Sequence, residues 1–178
     1  MTAAQTDTPR LLGTLHAAGT SGFVRLEEYL DAPVGTVWRA LTGLSELGAW
    51  LGELAGMSGE PLAAAPTVGS EYRARYFASG WEGTCRIEAC EKGRAIRIAT
   101  SSEDEPEGLM KIMLAPHGTG TLLVFEDHGL PLTNLAAYAA GDQIHVEDLQ
   151  SHLAGKGRCD ARRLWQQLHP LYLQQPTH

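Results

Sequence analysis

The middle of the chain consists of five strand-like segments that are separated by very short turns. They occupy residues 69–77, 81–91, 94–101, 109–115 and 119–127. Connections of a few residues allow antiparallel neighbours, whereas parallel strands need crossovers of about a dozen residues or more. The sequence therefore predicts an antiparallel sheet over this region.

Alternation along residues 81–91 separates an apolar face of the predicted sheet from a polar one. The apolar face carries Trp81, Gly83, Cys85, Ile87 and Ala89. Such a face has to be covered by another layer of structure. Residues 133–153 can supply that layer as a helix, since their apolar side chains recur at helical spacing. These side chains are Leu135, Tyr138, Val146, Leu149 and Leu153.

Further strands and helices complete the prediction. Residues 11–16 and 23–30 have the pattern of strands, and Pro33 then begins a short helix, because proline fits the first helical turn. A second short helix follows it. Residues 52–69 are rich in Gly, Ala and Pro and are predicted to form a loop, and residues 160–173 are predicted to form the last helix. The predicted fold class is α+β.

The length of the chain suits one domain. Its 178 residues are enough for a well-packed core and short for two. We expect a disordered tail over residues 1–10, one domain over residues 11–155 and a C-terminal helical extension over residues 156–178.

Composition argues against several classes of partner. The net charge of −7, from 14 basic and 21 acidic residues, disfavours binding to nucleic acid or to an anionic membrane surface. No apolar run approaches the roughly 18 residues of a membrane span, so we predict no membrane insertion. The N-terminus lacks the pattern of a secretory signal, and three cysteines do not make a disulfide framework. These features predict a cytoplasmic protein.

Several short sequences, taken in order, resemble one protein family. They are Ala32-Pro33, residues 37–42 (VWRALT), Trp50, and residues 69–72 (GSEY), 81–83 (WEG), 118–121 (GTGT), 129–131 (GLP) and 152–155 (HLAG). Together they resemble the bacterial branch of the activator of heat-shock protein 90 ATPase homologue family, within the START/Bet-v-like (SRPBCC) superfamily. The resemblance covers roughly residues 11–155.

The resemblance implies a helix-grip fold. In this fold a curved antiparallel sheet of six or seven strands wraps around a long C-terminal helix, and two short helices follow the first long strand. A cavity lies between sheet and helix. Members of the superfamily include lipid carriers, polyketide cyclases and co-chaperone domains, so the fold alone does not determine the activity. Many relatives carry a tryptophan after the glycine of the long helix, whereas this chain has the carboxylate of Asp142.

Four aromatic side chains are candidates for the wall of the cavity: Trp50, Tyr72, Tyr76 and Trp81. Tyr72 and Tyr76 share one face of a strand, and Trp81 begins the next strand on the inward side. Their rings would offer contact area to a ligand, and the tyrosine hydroxyls would orient it. Ordinary core packing is the alternative. Cys85 is expected beside them on the inward face, as a small buried hydrophobe.

A second set of candidates combines the last strand with the long helix. Phe125 and Asp127 are in phase on the strand, while Asp142, His145 and Leu149 recur at steps of three and four residues on the helix. The two carboxylates and the histidine are expected to meet at one mouth of the cavity. A carboxylate beside a histidine can form a general acid–base pair. Hydrogen bonds that orient a ligand, or a solvated helix edge, are the alternatives.

A metal site and a reactive cysteine have less support. His145, Asp148 and His152 lie near one face of a helix, but seven histidines in the chain produce such a spacing by chance. Cys85 and Cys90 are five positions apart on one strand and are expected on opposite faces. We predict no metal and no cofactor.

These features predict a noncatalytic module that binds a small, mainly apolar molecule, such as a lipid, a polyketide or an aromatic compound. One alternative is an enzyme of the polyketide cyclase or hydrolase type that uses the acidic and histidine cluster. Another is a chaperone-interacting module like a co-chaperone. A homodimer is compatible with the sequence.

Overall fold

The computed structural model describes residues 9–178. In chain order the elements are β1 (Gly13–Ala18), β2 (Ser21–Leu30), α1 (Val34–Thr42), α2 (Leu44–Trp50), β3 (Gly52–Ala55), β4 (Glu71–Tyr76), β5 (Glu82–Glu91), β6 (Ala95–Ser101), β7 (Gly108–His117), β8 (Gly120–Leu130), α3 (Leu135–Leu153) and α4 (Ala161–Tyr172). Over this part of the chain, no helix has both the length and the apolar character needed to cross a membrane. The first eight residues of the predicted disordered tail lie outside the described residues.

All the strands belong to one antiparallel sheet in the order β1-β2-β8-β7-β6-β5-β4-β3. The described residues thus form eight strands, whereas six or seven were expected. The additional strand is β3, which lies in the region predicted as a loop. It is only four residues long, which is too short for alternation to be recognised in the sequence. Gly52 permits this pairing, because a Cβ there would lie 2.3 Å from the carbonyl oxygen of Arg75.

The two short helices follow the first long strand as predicted. Pro33 is the N-cap of α1, and Val37 and Ala40 are buried on the helix face that meets the core. Gly43 ends α1 and is at the same time the N-cap of α2. Trp50 lies at the end of α2 and is buried in the hydrophobic core.

Helix α3 packs over only one part of the sheet. It contacts β1 and β2, and it also contacts α1, α2 and α4. Ala136, Ala139 and Ala140 are buried in its first half, where small side chains let the helix approach the strands closely. The buried side chains of β4 and β5 form a second, separate cluster that includes Tyr72, Tyr76 and other apolar residues. The space between the two clusters is the cavity described below.

The C-terminal extension packs on the same chain. The hydroxyl of Tyr172 in α4 accepts a hydrogen bond from Gly13 N (2.9 Å) and donates one to Gln143 Oε1 (2.5 Å). The same Oε1 atom accepts a hydrogen bond from Leu12 N, and Gln143 Nε2 donates one to the carbonyl of Arg10 (2.7 Å). Since Gln143 and Tyr172 are both fully buried, this network ties α3 and α4 to the first strand.

We expect the substitution Tyr172→Phe to lower the free energy of unfolding by about 1–3 kcal/mol, because it leaves the buried N–H of Gly13 without a partner. Urea denaturation measures the change. Tyr29→Phe is the matched control, since Tyr29 is 40% exposed and its hydroxyl makes no hydrogen bond with the described residues. Equal stability changes in the two variants would contradict the structural role of the network.

Candidate functional site

A cavity of about 930 Å³ lies between the sheet, helix α3 and the ends of α2 and α4. Its lining is mainly aliphatic and aromatic. Strands β3 to β8, all four helices and several of the connecting loops contribute residues to it. Among them are Trp50, Leu51, Leu54, Tyr72, Tyr76, Phe77, Trp81, Ile87, Ile96, Ile98, Met110, Ile112, Leu123, Phe125, Tyr138, Val146, Leu149 and Trp165.

One face of α3 supplies the helical side of the cavity. Tyr138, Asp142, His145 and Leu149 line it, at successive steps of four, three and four residues. Side chains at these steps lie above one another on a helix, which explains why they face the same space. Gly141 also lines the cavity, and a Cβ at that position would meet no atom within 4 Å.

An aromatic group forms the wall opposite this helix face. The ring of Tyr76 stacks on Trp81 at a centroid distance of 5.1 Å and meets the edge of His145 at 5.3 Å. Tyr72 lies on the same face of β4 and is buried. Trp50 reaches the cavity with its ring while its Nε1 donates to the carbonyl of Ala40 at 3.0 Å. The four predicted aromatic residues therefore line one cavity.

Cys85 is buried as predicted, whereas its expected place in the cavity lining and the predicted face of Cys90 are wrong. Cys85 is fully buried and is absent from the described cavity lining; its Sγ lies 3.6 Å from the hydroxyl of Tyr76, behind the wall. Cys90 lines the cavity instead. The expectation that the two thiols face opposite sides is wrong, because a β-bulge between Ile87 and Ala89 shifts the alternation and pairs Cys90 with Ile96.

A glutamate from the acidic loop enters the cavity. Glu105, between β6 and β7, accepts a hydrogen bond from Trp81 Nε1 at 3.0 Å and a short one from the hydroxyl of Tyr138. The loop therefore joins the aromatic wall to helix α3. Burial and the neighbouring Glu105 carboxylate both raise the pKa of Tyr138, so its hydroxyl remains a donor.

Two more carboxyl groups share this space. Asp127 on β8 is 9% exposed, and burial, with a further contribution from Glu105, raises its pKa to about 7. Burial and the charge of Asp127 raise the pKa of Asp142 well above its ordinary value. Asp127 and Asp142 both line the cavity, so the strand and the helix each contribute a carboxyl group to it.

His145 completes the polar part of the cavity. Burial lowers the pKa of its imidazole to about 4, so the ring is neutral near pH 7. Its Nε2 lies 3.3 Å from Ser79 Oγ, whereas its Nδ1 is buried and has no hydrogen-bond partner. Asp142 Oδ2 is the other buried side-chain atom without a partner among the described residues. The site therefore contains unused hydrogen-bonding capacity.

Asp148 and His152 of α3 do not line the cavity and have other partners. Asp148 Oδ1 accepts a hydrogen bond from Cys159 N at 2.7 Å, which fixes the segment leading into α4. His152 pairs with Glu46 of α2 at 2.5 Å. His145, Asp148 and His152 therefore point to three different environments. In the part of the chain that the structure describes, no group of three His, Cys, Asp or Glu side chains could hold a metal ion.

Nine of the ten side chains predicted to bind a ligand line the cavity, and their role in binding stays a prediction. Phe125 and Leu149 line the cavity, as do the aromatic and polar candidates other than Cys85. Tyr138 was assigned only to the core, although its position four residues before Asp142 puts both on one helix face. Glu105 lies in a loop without periodicity, and Trp165 belongs to the C-terminal helix, so neither had a recognisable signal.

Comparison with known proteins agrees with this architecture. The family model described as Activator of Hsp90 ATPase homolog 1-like protein matches residues 31–154. Among solved structures, CalU16 from Micromonospora echinospora has a TM-score of 0.70 at 19% sequence identity, over 90% of this chain and 93% of that chain. The predicted helix-grip fold is thereby confirmed. No curated protein matches the sequence of this chain.

Two further structures are somewhat more similar in sequence. DynU16, described as a protein of the dynemicin biosynthetic locus, has a TM-score of 0.66 at 26% identity, over 78% of this chain. The present chain spans only 50% of the length of DynU16. CV1439 from Chromobacterium violaceum has a TM-score of 0.58 at 26% identity, over 74% of this chain and 96% of that chain.

The raised pKa of Asp127 predicts that this residue makes stability fall as pH rises. Its pKa is 3.8 ordinarily and about 7 in the folded protein, so between these values the folded state keeps a proton that the unfolded state releases. The stabilisation is complete below about pH 4 and is lost as pH rises to about 7. We therefore expect Asp127→Asn to exceed the wild type in stability by about 1–3 kcal/mol at pH 8, with no gain at pH 4.

Urea denaturation at pH 4, 6 and 8 measures this difference. His145, whose lowered pKa has the opposite effect between about pH 4 and 6.5, is present in both proteins and cancels in the comparison. Asp31→Asn, at an exposed carboxyl, is the control and should show no such pH-dependent gain. A stability difference between Asp127→Asn and the wild type that is constant with pH would refute the assignment.

Proposed function

Because the chain belongs to the Activator of Hsp90 ATPase homolog 1-like family, we propose that its cavity binds a small, mainly apolar molecule without transforming it. The observation that carries this proposal is the cavity of about 930 Å³ between α3 and the sheet. Its size is near the upper end of ligand pockets in general, which measure about 300–1,000 Å³. A lipid chain, a polyketide or an aromatic compound is of suitable size and polarity.

Removal of apolar surface from water would provide most of the affinity. A ligand that buries roughly 300 Å² of apolar surface gains about 7 kcal/mol from desolvation, at about 25 cal/mol per Å². Part of this gain is offset by the lost freedom of the ligand. The rings of Tyr76 and Trp81, already stacked on each other, need little further ordering when a ligand arrives.

Polar groups at one end of the cavity would orient the ligand. Asp127, Asp142 and His145 line the cavity, and the hydroxyl of Tyr138 is held by Glu105. An apolar pocket with a few convergent polar groups is typical of specific binding sites. The description of DynU16 as a protein of the dynemicin biosynthetic locus supports a ligand from natural-product biosynthesis.

A second candidate function is catalysis of the cyclase or hydrolase type. The observation that favours it is the pKa of Asp127, which at about 7 suits a general acid or base near neutral pH. The variants Asp127→Asn and His145→Ala separate the two functions. In an enzyme they would abolish turnover while binding persists, whereas in a binding protein they would change affinity alone.

The family description also suggests an interaction with a chaperone ATPase. This third function stays a prediction, as do the cytoplasmic location and the homodimer. A pull-down with a bacterial chaperone of that class tests the interaction directly.

Filling the cavity is the test of the leading proposal. We expect Gly141→Leu to weaken binding of the neutral fluorescent probe N-phenyl-1-naphthylamine at least about tenfold, since the new side chain enters the space that the ligand needs. The substitution also removes a glycine from a helix interior, so the free energy of unfolding should rise by about 0.5–1 kcal/mol. Fluorescence titration and urea denaturation measure the two effects.

Gly48→Leu is the matched control. Gly48 is an exposed helical glycine in α2 that lies outside the cavity lining, and a Cβ there also meets no atom within 4 Å. It should leave probe affinity unchanged. Equal affinity of Gly141→Leu and the wild type, or no probe binding by the wild type at all, would contradict a ligand-binding cavity.

A further inference from the structure

Most of the ionisable side chains that line the cavity are acidic. Three carboxyl side chains line it: Glu105, Asp127 and Asp142. Within the described lining there is no lysine, and the single arginine, Arg162, is an exposed residue of α4. His145 is neutral near pH 7 and contributes no compensating charge. The described lining therefore has acidic side chains and no buried cation that could hold an anionic ligand.

The three carboxyl groups differ in how many hydrogen bonds they accept from the protein. Both oxygens of Glu105 accept hydrogen bonds, one from Trp81 and one from Tyr138. Asp127 is more than nine-tenths buried, and neither of its oxygens accepts a hydrogen bond from the described residues. Asp142 Oδ2 also has no partner. Two carboxyl groups thus lie in an apolar cavity without the donors that buried carboxylates ordinarily have.

The neighbouring histidine gives a second, independent indication of a missing partner. Nδ1 of His145 is buried without a hydrogen bond, in the same turn of α3 as Asp142. A single ligand group at this end of the cavity would lie close to both residues. A cationic group with hydrogen-bond donors fits this place, because its positive charge lowers the pKa that burial has raised on both aspartates, and the ionised carboxylates then accept its hydrogen bonds.

The aromatic wall suits a cation as well. The rings of Tyr76, Trp81 and Tyr138 line the cavity, and aromatic rings attract positive charge through their faces. An alkylammonium group could contact both the carboxylates and the aromatic rings. A ligand carboxylate would be repelled by the carboxylates of the cavity. A hydroxyl group would satisfy one acceptor and compensate no charge.

We propose that the cavity selects apolar ligands that carry a basic nitrogen, and that Asp127 and Asp142 hold the protonated nitrogen. This inference rests on the proposed ligand-binding function and specifies the class of ligand. The apolar body of the ligand lies against the aliphatic and aromatic lining, and its ammonium group donates to the two carboxylates. Charge-assisted hydrogen bonds of this kind are about twice as strong as neutral ones.

A series of ligands that differ only in the head group tests the proposal. Decylamine, decanol and decanoate compete with N-phenyl-1-naphthylamine for the full-length protein at pH 8. We expect decylamine to bind at least about tenfold more tightly than decanol, and decanoate at least about tenfold more weakly than decanol. Isothermal titration with decylamine gives the same affinity by a direct measurement.

Substitution of the two aspartates assigns the preference to its residues. In the double variant Asp127→Asn/Asp142→Asn, decylamine and decanol should bind within about threefold of each other. Asp127→Asn alone is the second variant should the double variant fail to fold, and it should reduce the preference for the amine at least about threefold. Asp31→Asn, at an exposed position, should leave the preference unchanged.

The outcomes separate this inference from the proposed function. Equal binding of decylamine and decanol, tighter binding of decanoate, or an unchanged preference in the aspartate variants overturns the amine proposal while the ligand-binding function stands. Failure of the neutral probe and of all three decyl compounds to bind the wild-type protein overturns both.

Discussion

The architecture of this protein depends on a mismatch in width between its sheet and its main helix. Eight strands at a spacing of about 4.8 Å make a sheet roughly 34 Å wide, while a helix with its side chains is about 10 Å across. Helix α3 therefore packs mainly against β1 and β2, while the inner face of β4, β5 and β6 lies against the cavity. The curvature of the sheet brings this face back toward the helix, and the cavity is the space that remains.

The uncovered face explains why the protein has two apolar clusters instead of one. The larger cluster surrounds α3, and the smaller one, with Tyr72, Tyr76 and Cys85, belongs to β4 and β5. A chain selected for stability alone would be expected to fill the gap with large apolar side chains. This chain instead has Gly141 on the helix, and carboxyl groups face the gap. Buried carboxyl groups without donors cost stability, so their presence is better explained by a ligand than by packing.

Residue patterns predicted correctly the parts of the structure whose apolar side chains repeat at strand or helix spacing. Alternation placed Phe125 and Asp127 on the inward face of β8, and helical spacing placed Asp142, His145 and Leu149 on the facing side of α3. The parts that were not predicted lack such a repeat. Strand β3 is too short, the bulge in β5 shifts the alternation so that the exposed Cys90 is on the same face as Cys85, and Glu105 reaches the cavity from a loop. Each depends on backbone detail or tertiary contact that residue patterns do not encode.

The C-terminal helix adds a wall that the family resemblance does not describe. The matched family region ends at residue 154, whereas α4 begins at Ala161 and contributes Arg162 and Trp165 to the cavity lining. The far end of α4 is held by the hydrogen bonds of Tyr172, which join it to Gln143 of α3. Because the same helix α3 carries Asp142 and His145, the extension and the polar end of the cavity are positioned by one rigid element. The shape of the cavity in this chain therefore depends partly on residues outside the region that the family model matches, and a relative that lacks this helix would enclose a different space.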